Sequence, residues 1–163
     1  MPCLMLVAHP CLSLPAAAGL ELPEQKVIRI GELSIGVIHG HQIVPWSDPA
    51  MLANHARSIG VDVLIHGHSH AASVARAEGS ATASASVAAA SNGVASPAAA
   101  SSAPSTLLLN PGSLTGAYSP FTTSVLPSFL LLAIAGPSVL IYHYELSAAG
   151  EVTVNKSEWK KTK

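Results

Sequence analysis

The sequence predicts an α/β fold, and three observations carry that prediction. A capped helix lies between two β-branched segments over Leu33 to Ile65. A run of short apolar segments broken by Gly-Pro and Ala-Gly turns follows toward the carboxyl end. Histidine pairs come directly after two of the predicted strands. The chain has 163 residues, enough for one domain with a core of its own. Eight lysines and arginines against nine acids give a formal charge of -1, which leaves no broad basic face for nucleic acid.

The elements follow in order. Lys26 to Ile30 and Leu33 to Ile38 are β-branched strands, and Gly31-Glu32 between them is a two-residue hairpin loop of type II′. Ser47-Asp48 supplies an N-cap and Pro49 the first helical position. Leu52, Ala56 and Ile59 then share one helix face, and Gly60 is the stop. Val61 to Ile65 is a short apolar strand suited to a buried sheet position. Thr106 to Leu109 is another, closed by the turn Asn110-Pro111-Gly112-Ser113. Phe129–Ile134, Val139–Leu146 and Val152–Lys156 complete an antiparallel meander, with Glu158 to Lys163 as a frayed basic tail. The apolar run Val125 to Leu140 contains Pro127, Gly136 and Pro137. It reads as two strands joined by a turn, not as a membrane helix, which needs about 20 uninterrupted apolar residues.

Between the two halves, 24 of the 35 residues from 71 to 105 are alanine or serine, too few large apolar groups to offset the entropy of ordering. The segment is expected to be a flexible insertion; a phosphoserine tract is the functional alternative. Cys3 and Cys11 match neither a zinc pattern nor a disulfide framework, so a reducing compartment is expected. The apolar start lacks a basic n-region, which argues against a signal peptide.

Five of the eight histidines fall in His39-Gly40-His41 and His66-Gly67-His68-Ser69-His70. Ligand sites of open α/β sheets gather at the carboxyl ends of strands, and neutral imidazole is the commonest metal ligand. One such cluster alone reads as ordinary loop histidines; two at consecutive strand ends favour a metal-site ancestry.

Gly67-His68-Ser69-His70 is similar to the Gly-His-Thr/Ser-His motif of calcineurin-like metallophosphoesterases, and His39-Gly40-His41 resembles the His-Gly-His upstream of it. Leu22 to Val27, Ile38 to Trp46, Asn110 to Tyr118, Pro127-Ser128-Phe129 and Tyr142-His143-Tyr144 extend the likeness to that family's retromer-subunit branch. The resemblance implies a metallophosphoesterase-like β-sandwich flanked by helices. It covers residues 22–163, interrupted at 71–105, while 1–21 form an unmatched apolar start, so the fold is expected to be amino-terminally truncated. It implies metal contacts by His39, His68 and His70 only. The family's Asp-x-His has no counterpart, since no aspartate precedes Leu22.

Three imidazoles without a bridging carboxylate make a poor two-metal phosphoesterase centre, so no enzyme activity is expected. Zinc or manganese in a degenerate site, not required for function, is the cofactor expectation. The resemblance implies a scaffold subunit of retromer in endosome-to-Golgi transport, cytoplasmic and peripheral on endosomes. Ile43, Val44, Pro45 and Trp46, with Asn110 and Tyr118, would dock the large helical-solenoid subunit; packing over the following helix is the plainer reading of the first four. Leu131, Tyr142 and Tyr144 would form a second surface for endosomal regulators, although Leu131 by itself reads as core. Rival readings are a metal-dependent phosphodiesterase and a non-functional gene fragment. A strand at Val61 to Ile65 without its family neighbours would leave an exposed sheet edge, weakly covered by Cys3 to Ala18.

Overall fold

The structure is a computed structural model and describes residues 3–7, 23–77, 105–120, 122 and 124–162. Strands β2 (Gln25–Ile30) and β3 (Leu33–Ile38) pair antiparallel with Ile30 opposite Leu33, which leaves the expected two-residue turn. Gly31 takes it at φ 59°, a left-handed conformation that glycine adopts without a Cβ penalty. Helix α1 (Pro49–Ser58) starts as the sequence predicts: the Asp48 carboxylate accepts the Met51 amide, and Gly60 at φ 69° lies just beyond the cap.

Strand β4 (Val63–Ile65) runs parallel to β3 and to β6 (Thr106–Asn110), which lies on its other side. It is shorter than expected because the Val61 amide still bonds Ala56 of the helix and the Asp62 amide bonds Ser34. The expected exposed edge at Val61 to Ile65 is therefore corrected: β4 is interior, with a strand on each flank. Strand β5 (Ser73–Ala77) lies outermost, antiparallel to β6, and the five-stranded order is β2-β3-β4-β6-β5. β5 falls inside the segment expected to be a flexible insertion. Register with a preformed strand, Ala77 opposite Thr106, orders residues whose composition gives no strand signal. Residues 78–104 lie outside the described residues.

The meander is a second sheet, order β1-β7-β8-β9, of β1 (Cys3–Val7), β7 (Ser128–Ala135), β8 (Ser138–Leu146) and β9 (Val152–Lys160). β1 pairs antiparallel with β7 and not with the parallel sheet. The expected frayed tail is corrected too. β9 continues to Lys160 because Trp159 is 2% exposed and packs in the core, and Lys161 Nζ meets Asp62 Oδ2 at 2.8 Å.

Alternate residues of β7, Leu130, Leu132 and Ile134, face Leu33, Ile35, Val63, Ile65, Leu107 and Leu109 across the sandwich. On the far side of the parallel sheet, Leu64 and Leu108 meet Leu52, Ala53 and Ala56 of α1. The layers are thus helix, five-stranded sheet, four-stranded sheet. α1 is the only helix among the described residues.

Candidate functional site

The topology decides where the histidines go. β3, β4 and β6 are parallel neighbours, with Val37 opposite Ile65 and Ile65 opposite Leu109, so their carboxyl ends emerge at one place. His39 follows β3, His66 to His70 follow β4, and Asn110 closes β6. The two histidine loops touch directly: the Gly67 amide donates to the His39 carbonyl at 2.9 Å. Glycine is needed there, since a Cβ on Gly40, at φ 107°, would stand 2.9 Å from the Gly67 carbonyl oxygen.

Four rings cluster above this contact. His39 and His68 centroids are 5.2 Å apart, His39 and His41 5.0 Å, and the Trp46 ring meets His68 edge-on at 4.9 Å. His39 Nδ1 lies 2.9 Å from His41 Nδ1, and the Trp46 indole donates to the His41 carbonyl. Burial lowers the pKa of His39, and its neighbours His41, His68 and His70 lower it further. His68 is lowered by burial, then by His41 and His70. Burial first, and repulsion between imidazolium charges second, favour the neutral forms of His39 and His68. His70 departs from it: its Nδ1 lies 2.8 Å from the Ala117 carbonyl, on the loop after β6.

The family resemblance implied metal contacts by His39, His68 and His70, with the first two on one ion, and the structure brings those two rings together. It adds His41, which shares the same loop but carried no assigned role. The two-metal phosphoesterase centre that the family implies does not fit these residues. The charges acting on His39 and His68 are all imidazoles, and no group of three or more His, Cys, Asp or Glu among the described residues could hold an ion. Hard ions in such centres want carboxylate oxygen.

The expected docking residues divide. Val44 is 65% exposed, Trp46 44% and Tyr118 83%, with Pro45 exposed between the first two. Ile43 is corrected: it is 7% exposed and packs with Ile38 and Leu52 in the helix-side core. Asn110 is corrected as well. At 1% exposure its amide donates to Ser69 Oγ and its carbonyl accepts the Gly112 amide, so it shapes the loop from within. Leu114, 51% exposed on the same loop, is a rim residue the sequence reading missed.

On the meander, Leu131 lies opposite Tyr142 on the sheet face away from the core, half-buried. The core reading of Leu131 is thereby set aside. Tyr144 stacks on Phe129 with centroids 4.7 Å apart and planes 5° from parallel. Lys156 sits over Tyr142, and Val152 and Val154 are 64% and 47% exposed on β9. Phe129 was legible in principle, since it lies two residues before Leu131 on one strand face.

Comparison with known proteins places this architecture. Residues 12–135 match the calcineurin-like phosphoesterase superfamily domain, so the match begins inside the segment expected to be unmatched. Vacuolar protein sorting-associated protein 29 of Schizosaccharomyces pombe is 26% identical over 162 residues, covering 94% of this chain and 72% of that protein. The Cryptosporidium parvum structure of the same protein is 34% identical with a TM-score of 0.66, covering 95% of this chain and 64% of that one. The Entamoeba histolytica structure, solved in complex with zinc, is 35% identical with a TM-score of 0.65, covering 85% of this chain and 63% of that one. The chain thus spans under two thirds of the length of these two solved relatives.

Proposed function

The chain belongs to the calcineurin-like phosphoesterase superfamily, and from that membership we propose that it acts as a scaffold subunit of retromer in endosome-to-Golgi transport, without catalysing hydrolysis. The observation that carries this reading is the set of exposed apolar side chains on the two loops that meet the histidine loop: Val44, Pro45 and Trp46, whose ring meets His68, and Leu114 and Tyr118 on the loop whose Ala117 carbonyl His70 contacts. Contiguous exposed apolar and aromatic groups mark protein interfaces, and tyrosine and tryptophan are enriched in them. The partner for this rim is the large helical-solenoid subunit of retromer.

The second face, with Leu131, Tyr142, Tyr144 and Phe129, would take endosomal regulators. The donor set argues against a phosphodiesterase, because a two-metal reaction needs ions clamped about 3.5–4 Å apart by ligands that include carboxylates. Zinc or manganese on His39 and His68 would be a degenerate occupant on which docking does not depend. No helix among the described residues is long and apolar enough to cross a membrane. The proposed place on endosomes is therefore peripheral and borrowed from the partner.

Affinity purification from cells through a carboxyl-terminal tag, followed by mass spectrometry, tests the proposal. Recovery with the larger retromer subunits supports it, and recovery of folded protein without them refutes it.

A further inference from the structure

Two loops meet beneath the rim, and one carbonyl oxygen joins them. The Ser69 carbonyl accepts the Ser119 hydroxyl at 3.0 Å and the Thr122 hydroxyl at 3.2 Å. The Ser69 hydroxyl accepts the Asn110 amide at 2.9 Å. Ser69, Asn110 and Ser119 are all at least 96% buried. Beside them, His70 Nδ1 meets the Ala117 carbonyl, and the Ala117 amide donates to Ser113 Oγ at 3.0 Å.

This arrangement carries strain that something must hold. His68 and His70 lie at φ 72° and 60°, left-handed conformations uncommon outside glycine, and Ser69 is the residue between them. Such backbone persists only where its surroundings over-determine it. Both carbonyl lone pairs of Ser69 are filled by hydroxyls from the 113–122 loop, and the Ser69 side chain is fixed from β6. The same loop carries Tyr118, immediately before Ser119 and 83% exposed. A buried anchor thus sits next to the most exposed aromatic residue of the rim.

We infer that the Ser119 hydroxyl, bound to the Ser69 carbonyl, is an anchor that fixes the backbone carrying Tyr118 beside the histidine loop, making Ser119 a positioning residue for partner capture. The inference rests on the proposed docking role but has a consequence independent of any partner. A residue already held in its bound position loses less freedom on binding. Without the Ser119 bond, the loop keeps its contacts through Ala117 and Thr122 but holds Tyr118 less firmly, and the partner must supply more of the ordering.

Two measurements on the full chain test this. In the free protein, amide hydrogen exchange is compared for wild type, Ser119→Ala and Ser119→Thr. Faster exchange of residues 114–119 in Ser119→Ala, with β6 and β7 protected as in wild type and Ser119→Thr restored, is the expected result. Unchanged exchange in that segment overturns the inference whatever binds the rim, and so does protection lost equally throughout. In the second, titration calorimetry measures affinity for the carboxyl-terminal solenoid of the large retromer subunit. Ser119→Ala is expected to weaken binding about fivefold, the worth of one net hydrogen bond. It is expected to have no further effect in a Tyr118→Ala background, since two changes acting through one contact are not additive. Additive losses, or wild-type affinity for Ser119→Ala, overturn it. Failure of wild type to bind the solenoid, with the exchange result as expected, removes the docking role and partner capture with it, leaving the anchor as a structural device.

Discussion

Acidification is expected to destabilise this fold through buried histidines, His66 foremost. His66 is 3% exposed at the end of β4, and burial lowers its pKa from 6.5 to about 4, against a smaller opposing effect of its hydrogen bond to the Gly67 backbone. Its folded-state pKa lies below the unfolded one, so the unfolded chain takes the proton first. Well above pH 6.5 neither state is protonated and the group has no effect on stability. Between pH 6.5 and 4 the unfolded state is favoured by up to 1.36 kcal/mol per pH unit, which integrates to about 2 kcal/mol between pH 7 and pH 5. Below pH 4 the loss levels off. His39, His68 and His143 are also lowered, each first by burial, and act in the same direction. Urea titrations followed by circular dichroism at pH 7, 6 and 5 read the slope. The matched variant His66→Gln, which carries no titrating ring, should lose most of it. Equal slopes for the two proteins would refute the assignment to His66.

Other perturbations have equally definite outcomes. Gly40→Ala places a methyl 2.9 Å from the Gly67 carbonyl at a left-handed φ, and should lower stability by about 2 kcal/mol in chemical denaturation. Lys161→Ala removes the partner of Asp62, whose Oδ2 still accepts the Ser34 amide. The pair is partly exposed, so the cost should be within about 1 kcal/mol, and the thermal midpoint should move by a few degrees only. The sequence-based reading of residues 71–105 as a flexible insertion, less the β5 strand that it missed, predicts that a four-residue turn can replace residues 78–104. Ala77 already lies opposite Thr106, and loop-closure entropy then favours the shortened chain by about 2 kcal/mol in the same denaturation assay.

What was legible in the sequence was local. The β2–β3 turn is specified by Gly31, and α1 by Asp48, Pro49 and Gly60, each acting within a few residues of itself. β5 was not legible, because Ser73 to Ala77 become a strand only through β6, a partner across the Ala/Ser-rich segment. The end of β9 was missed for a related reason: Trp159 alone turns inward, after seven exposed residues. In the loop after β3, the run Ile43 to Trp46 gave its character but not its orientation. Ile43 turns toward Leu52 while Val44 and Trp46 turn outward, and only packing against α1 decides between them. Asn110 misled because a turn asparagine satisfies backbone and side-chain partners beneath the surface as readily as it decorates a rim. The histidine pair survived translation to three dimensions because parallel β3 and β4 bring their ends together whatever the loops do.

The docking claim is tested most directly by titrating the purified chain with the carboxyl-terminal solenoid of the large retromer subunit, beside Val44→Asp. Val44 is 65% exposed, so the substitution should leave the denaturation curve unchanged. Buried in the complex, a charge there should weaken binding by about 2 kcal/mol or more, roughly 30-fold. Saturable binding by wild type with that loss in Val44→Asp is the predicted result. Equal affinity of the two proteins, or no binding by a folded wild-type chain, would contradict it.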